Sequence, residues 1–461
     1  MRISILASLF GRTPSIVLPI TPPRTPEVDE LRGSTWKKAT SMERQTDINL
    51  EDEKSQPLEL PSMLYTRDNE WITYEDIAKM GKLPYLVGLR AAASIAIQLF
   101  HVVRPGTRGA SYFGCCGLSI LFVQGAFLVT GSLIQLQKAN QGKSIFKQHA
   151  HLPRFFINRA VRLYPALLVM IVITSTWWQL RYNRPLQLAK AIFRALFKIQ
   201  HTRFLHIPDK PANPFAHTWF LDVQEVFYLL LALALPFLVA LRSRSRSIIL
   251  LSLFIFSFHR RSRESVFNAA LSINTYRMIA GVALQLIPIP RSVLGPKMRR
   301  LAVISVILGS LWGFSTYFNH NYSLKMQRIH GDSVGVIISL LVTLASLSTK
   351  VQSTDSLLSP SYVSVGVQEK GRPAAPARFT PLDVLNAKWL EFVGRISYSW
   401  YLWQVPVMHF ETTFMSGYKS LGSTCEAFIL AMISTFLFEE PIRDWYRARL
   451  KRTKLATINA S

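Results

Sequence analysis

Two ionisable side chains, Arg90 and His101, stand eleven residues apart in the otherwise apolar stretch YLVGLRAAASIAIQLFHVV at 85–103. On an α-helix that spacing is three turns plus about 20°, so both lie on one face about 16 Å apart. A charged group near a bilayer centre costs several kcal/mol unless it faces protein or a wet cavity, so such residues are functional candidates by default. A neutral imidazole can take a hydroxyl proton as general base, and a guanidinium can orient an anion or stabilise developing negative charge. The plainer reading has Arg90 snorkelling to one headgroup level and His101 sitting at the other. Position alone favours neither.

Four further constellations stand in apolar surroundings. Arg159 and Arg162 share a helix face ahead of Leu163-Tyr164-Pro165, a guanidinium fork suited to phosphates or else an interfacial anchor. HTWFLDVQEVFYLL sets Asp222 and Glu225 on one face with Trp219 at the expected headgroup level. These acids need a partner, and His101 and Arg277 enter at the same expected depth; water at the interface is the alternative. Arg277 precedes Gly281 in TYRMIAGVAL, where the glycine reads as a close helix contact. GRISYSWYLWQVP carries Ser397, Tyr398, Ser399 and Gln404 among aromatics that read as packing residues; in lipid its polar side chains must face neighbouring helices.

The elements that hold these residues follow from composition. The chain has 461 residues, 49% hydrophobic and 17% charged, which is too apolar for a soluble protein of this size and reads as an all-α, polytopic membrane protein. Ten spans are expected: 85–103, 115–136, 155–178, 217–241, 247–258, 271–289, 301–318, 333–348, 392–410 and 424–438. The fifth falls short of the ~20 residues of a full span and reads as a possible half-helix. Trp71 to Lys82 reads as a short interfacial helix, and Leu186 to Ile199 as a helix on the membrane surface. Residues 1–80 form a polar, cytosolic tail expected to be disordered, 81–445 the membrane domain with a polar loop at 350–388, and 446–461 a basic tail.

Net charge is +26, but the basic residues cluster in short loops between apolar segments, as topology signals do. No phosphate loop, zinc spacing or RNA-binding aromatic motif accompanies them, so no nucleic-acid partner and no metal are expected. Cys115, Cys116 and Cys425 lie in apolar segments and suggest no disulfide framework.

Arg90 with ten residues to His101, Arg159-x-x-Arg162-Leu-Tyr-Pro, Trp219-x-Leu-x-Val with Glu225-x-Phe-Tyr, Arg277-x-x-x-Gly281, and Gly394-Arg-Ile-Ser-Tyr-Ser-x-Tyr-Leu-Trp403 together resemble the acyltransferase 3 family of integral-membrane O-acyltransferases. The resemblance covers about residues 85–445, and the polar tail without an appended hydrolase-like domain is similar to the stand-alone members of filamentous fungi. Two positions depart from the family pattern. Gln224 stands where the family has an acid, with Glu225 following about 100° round the helix, and Gln404 stands where the family often has His.

The resemblance implies O-acyl transfer from acyl-CoA, acetyl-CoA first, to a hydroxyl of a small-molecule acceptor such as a specialised metabolite or sugar. Acyl-CoA is then a co-substrate, and no cofactor is held tightly. His101 becomes the general base and Arg90 the group that orients the donor or stabilises charge. Arg159 and Arg162 hold CoA phosphates, Asp222 or Glu225 fixes the His101 tautomer, and Arg277, Tyr398 and Gln404 meet substrate. The partners are the bilayer, acyl-CoA and the acceptor, in an endomembrane such as the ER or else the plasma membrane. A transporter relay built on the same buried charges is the rival from another class, and a catalytically degenerate member of the fold is a third reading.

The excess of basic loops on one side puts both termini in the cytosol. Single cysteines placed at Ser34 and Ser461 are expected to react with an impermeant thiol reagent from the cytosolic side, and one at Ser420 only from the other. Cytosolic labelling at Ser420 would overturn this topology.

Overall fold

The computed structural model describes residues 71–102, 110–138, 152–197, 199, 213–263, 271–318, 323–358, 380–409 and 419–460. Most of the expected tail (1–70) and the middle of the polar loop (359–379) lie outside them. Among the described residues the helices are α1 (Tyr74–Lys79), α2 (Leu86–Val102), α3 (Ala110–Lys138), α4 (Leu152–Tyr182), α5 (Pro185–Leu196), α6 (Trp219–Ala240), α7 (Ser243–Arg263), α8 (Leu271–Leu286), α9 (Pro296–Phe318), α10 (Leu324–Leu358), α11 (Lys388–His409), α12 (Lys419–Ile433) and α13 (Glu440–Ala460). One small ribbon pairs Trp71 with Pro290 and Ile72 with Ile289, antiparallel.

The protein is an all-α polytopic membrane protein. Each of the ten expected spans falls on a helix, α2 to α4 and α6 to α12. Among the described residues five stretches are long and apolar enough to cross a membrane by themselves: Ala110–Lys138, Leu152–Tyr182, Ala216–Ala240, Pro296–Thr316 and Leu324–Ser353. An apolar belt that includes Val172, Leu230, Phe237 and Leu308 is exposed on the outside of the bundle, as lipid contact requires.

The structure corrects several boundaries. α7 is 21 residues long, about 31 Å; Ser and Arg at both ends read as loop but continue the helix. α10 is 35 residues long and begins well before the expected start of its span. The expected interfacial helix is reduced to α1, capped by Thr73, whose hydroxyl donates to Asp76 at 2.6 Å. It is pinned to the end of α3 by the Lys138–Glu75 ion pair and by Gln135 donating to the Ala78 carbonyl.

α5 does more than lie on the surface. Tyr164 donates to the Leu196 carbonyl at 3.1 Å, and Tyr164 lies 18 residues, about 27 Å, back from the end of α4. So α5 returns alongside α4, with Leu188, Ala191 and Ala195 buried. An amphipathic period has the same form whether its apolar face meets lipid or protein, which is why the sequence could not separate the two.

α3 is the central post and packs along α2, α6, α8 and α10. Backbones approach closely there. A methyl group on Gly281 of α8 would run into the Val123 carbonyl of α3, and one on Gly335 of α10 into the Cys116 carbonyl. Helix association in lipid depends on such small residues, because lipid tails are as apolar as leucine. Gly281→Val is therefore expected to destabilise the bundle by about 1–3 kcal/mol through overpacking. The check is a lower thermal unfolding temperature in detergent than that of Leu230→Val, which changes only the lipid-facing surface.

Candidate functional site

A cavity of about 140 Å³ opens between α2, α3, α4, α6 and α11, with Arg90, Arg159, Arg162, Gln224, Tyr228 and Tyr398 in its wall. Gly125 also lines it. This residue is about 22 Å from the start of α3 and about 20 Å from its end by helical rise, so the cavity sits half-way along the central helix. Arg159 and Arg162 are seven and ten residues inside α4, about 10–15 Å in.

The three guanidiniums are not equivalent. Arg159 Nε is 2.7 Å from Glu225 Oε1, and its charge lies 4.4 Å over the Tyr228 ring. Arg90 and Arg162 have no carboxylate within ion-pair distance among the described residues. The electrostatic neighbour of Arg162 is Glu439, which closes a π-helical segment at Ser434–Glu439 and lies 3.5 Å from Ser399 Oγ and 3.7 Å from Arg443. Such π-turns inside helices are frequent at functional sites. Tyr398 donates to the Leu163 carbonyl at 2.8 Å and so fixes α11 against α4.

Adjacent helix positions on α6 serve different spaces. Gln224 faces the cavity that holds Arg90. Glu225 faces a separate groove of about 660 Å³ lined by Phe156, Tyr164, Phe197 and Leu229. The 100° turn between neighbouring residues thus puts Glu225 on the far side of Arg159.

Arg277 belongs to a second polar cluster. Its Nη2 is 2.6 Å from Asp332 Oδ1, and Arg261 holds Asp332 Oδ2 at 2.9 and 3.1 Å. Ser119 donates to Asp332 at 3.3 Å, while Arg277 donates to Asn274 at 2.9 Å and to the Tyr276 hydroxyl at 3.2 Å. The cluster spans α3, α7, α8 and α10. Asp332 is absent from the sequence-based candidates because its span was drawn from Ser333. An acid beside a glycine in an apolar helix was the signal available.

The expected four-way cluster of His101, Asp222, Glu225 and Arg277 does not form. Glu225 pairs with Arg159 and Arg277 with Asp332. Asp222 is fully buried, an electrostatic neighbour of Tyr401, Tyr164 and Arg194. His101 stands at the end of α2 with its ring centroid 4.9 Å from that of Phe100 in a T-shaped contact, three helical turns from Arg90 on the same face, as the spacing requires. Gln404 is buried and does not line the cavity. Glu439 is a further acid that sequence reasoning did not select; it directly follows the last residue of the expected tenth span.

Comparison with known proteins adds the following. A family described as "Acyltransferase domain" matches residues 83–440. The protein named "O-acetyltransferase OatA" from Staphylococcus aureus (strain NCTC 8325 / PS 47) is 24% identical over 388 residues, covering 78% of this chain and 57% of its own length. "Putative O-acetyltransferase SACOL0978" from Staphylococcus aureus (strain COL) is 27% identical over 157 residues, 33% of this chain and 24% of its own length. The chain therefore spans at most about half the length of these curated relatives. No solved structure matches it.

Removing one partner of a buried ionic cluster leaves uncompensated charge and costs about 3–5 kcal/mol, whereas replacing the whole cluster by apolar residues of similar volume is often neutral. Asp332→Ala is therefore expected to lower the melting temperature and the yield of folded protein sharply. Combining Asp332→Leu with Arg261→Met and Arg277→Met should recover most of both. A triple variant no better folded than Asp332→Ala would refute this account of the cluster.

Proposed function

The chain belongs to the acyltransferase domain family, and on that premise we propose that it is a membrane O-acyltransferase that moves an acyl group, acetyl first among them, from acyl-CoA to a hydroxyl of a small-molecule acceptor such as a specialised metabolite or sugar. The observation that carries this reading is the meeting of Arg90, Arg159, Arg162 and Tyr398, from three blocks far apart in sequence, around one cavity.

In this reading the cavity takes the phosphates of the donor. Arg90 and Arg162 supply positive charge that no carboxylate within ion-pair distance neutralises among the described residues, and Arg159 is held in place by Glu225 and Tyr228. A guanidinium fork in a water-poor site binds phosphate oxygens strongly. The extended pantetheine arm, roughly four residue-sized units, reaches about 15 Å. That matches the ~16 Å between Arg90 and His101 on one face of α2, so Arg90 orients the donor while the thioester lies beside His101. The neutral imidazole takes the acceptor hydroxyl's proton as that oxygen attacks the thioester carbonyl; the tetrahedral adduct collapses, the carbon–sulfur bond breaks, and the imidazolium returns the proton to the departing CoA thiolate. Acyl-CoA is consumed as a co-substrate. An endomembrane facing the cytosolic acyl-CoA pool is the compartment that suits this chemistry.

Two variants test the division of labour. Arg162→Ala should raise the KM for acyl-CoA with little change in kcat, because a phosphate contact is made in ground and transition states alike. His101→Gln should lower kcat by ~10² to 10⁴-fold with KM nearly unchanged, the usual worth of general-base catalysis. Near-normal turnover by a folded His101→Gln protein would remove His101 from the chemistry.

A further inference from the structure

Between the levels of Arg90 and His101, on α2 and the adjoining α11, stand two buried amides with hydrogen-bonding capacity to spare. Gln98 is 5% exposed; its Nε2 donates to Thr424 Oγ1 at 3.1 Å, and its Oε1 has no partner among the described residues. Gln404 is 2% exposed, and its Nε2 is likewise without a partner there. Leaving a buried polar atom unpaired is costly, and unpaired groups in a native interior call for an explanation.

Both residues continue faces that line the cavity. Gln98 follows Ser94 by four positions on α2, and Gln404 follows Tyr401 by three and Ser397 by seven on α11, where Ser94, Ser397 and Tyr401 are cavity residues. The two helices run side by side in the same direction, since Gly394 backs onto Val87 and Tyr401 shares the cavity with Ser94. The same register sets Gln98 level with Val405, directly beside Gln404. By helical rise Gln98 lies about 12 Å beyond Arg90 and one turn short of His101. The spare atoms are therefore one acceptor and one donor, close to the depth of His101.

Resting on the acyl-CoA reading above, we propose that Gln98 and Gln404 bind the pantetheine arm through its two secondary amides. Gln98 Oε1 accepts a hydrogen bond from one amide N–H, and Gln404 Nε2 donates one to an amide carbonyl. A pair of this polarity is complementary to a chain bearing both groups; hydroxyls also donate and accept, so the amide-to-ester comparison below is what separates the donor from the acceptor. Turning the Gln98 side-chain amide over exchanges the atom left spare but still leaves one unpaired.

The test is equilibrium binding of CoA, and of a CoA analogue in which the N–H of the amide next to cysteamine is replaced by an ester oxygen, to the full-length protein in detergent. The wild-type protein should bind CoA about tenfold more tightly than the analogue, the worth of one buried hydrogen bond. Gln98→Leu should erase that preference. Gln404→Leu should weaken CoA about tenfold while holding or raising the melting temperature, since it removes an unpaired donor. Equal affinity of the wild-type protein for both ligands, a measurement that needs no variant, overturns the N–H contact; CoA affinity in Gln404→Leu equal to wild type overturns the other. Loss of binding only in step with a lower melting temperature assigns both residues to structure instead. Failure of the wild-type protein to bind CoA at all defeats the donor reading itself, and this inference with it.

Discussion

Charge cannot be left unbalanced in a medium without water, and the arrangement of this bundle follows from how its charges are met. Asp332 accepts from Arg261 and Arg277 together, with Ser119 on one of its oxygens, so one carboxylate ties four helices. Arg277 also lies 5.4 Å from the Phe122 ring, which packs 4.4 Å from Phe220. Phe220 is part of the cavity wall. The ionic tie thus braces the space where Arg90 and Arg162 stand.

The two polar layers differ in what they leave over. Around Asp332 two guanidiniums share one buried carboxylate, with Ser119, Asn274 and Tyr276 meeting further groups. Around Arg90 and Arg162 the protein provides walls and one compensated cation, while two cations keep capacity for an anion. Buried charge that is paired supports a structure, whereas charge left with capacity in a cavity marks a place for a ligand.

Much of this was legible in the sequence, and the rest was hidden for identifiable reasons. Span order follows from hydropathy, because backbone groups in lipid must satisfy one another locally and helices do so. The shared face and separation of Arg90 and His101 follow from their spacing on α2, and the displacement of Glu225 relative to Gln224 follows from a single residue step. Which acid meets which base did not follow. Glu225 lies 66 residues from Arg159 and Asp332 lies 55 from Arg277, and such pairings depend on helix neighbours that hydropathy does not rank. The return of α5 along α4 and the full length of α7 were obscured because amphipathic and arginine-flanked helices resemble surface segments and loops.

The order of the chain gives the Asp332 tie a history as well as a geometry. Arg261 and Arg277 precede Asp332 in synthesis, the second of them by 55 residues, which at the usual pace of translation is roughly 3 to 11 s. For that interval two guanidiniums on newly made helices await the only carboxylate that contacts them among the described residues. α7 and α8 therefore gain this contact only once α10 has been made. The tie that joins four helices is thus completed by the eighth expected span, not by either helix that carries its cations.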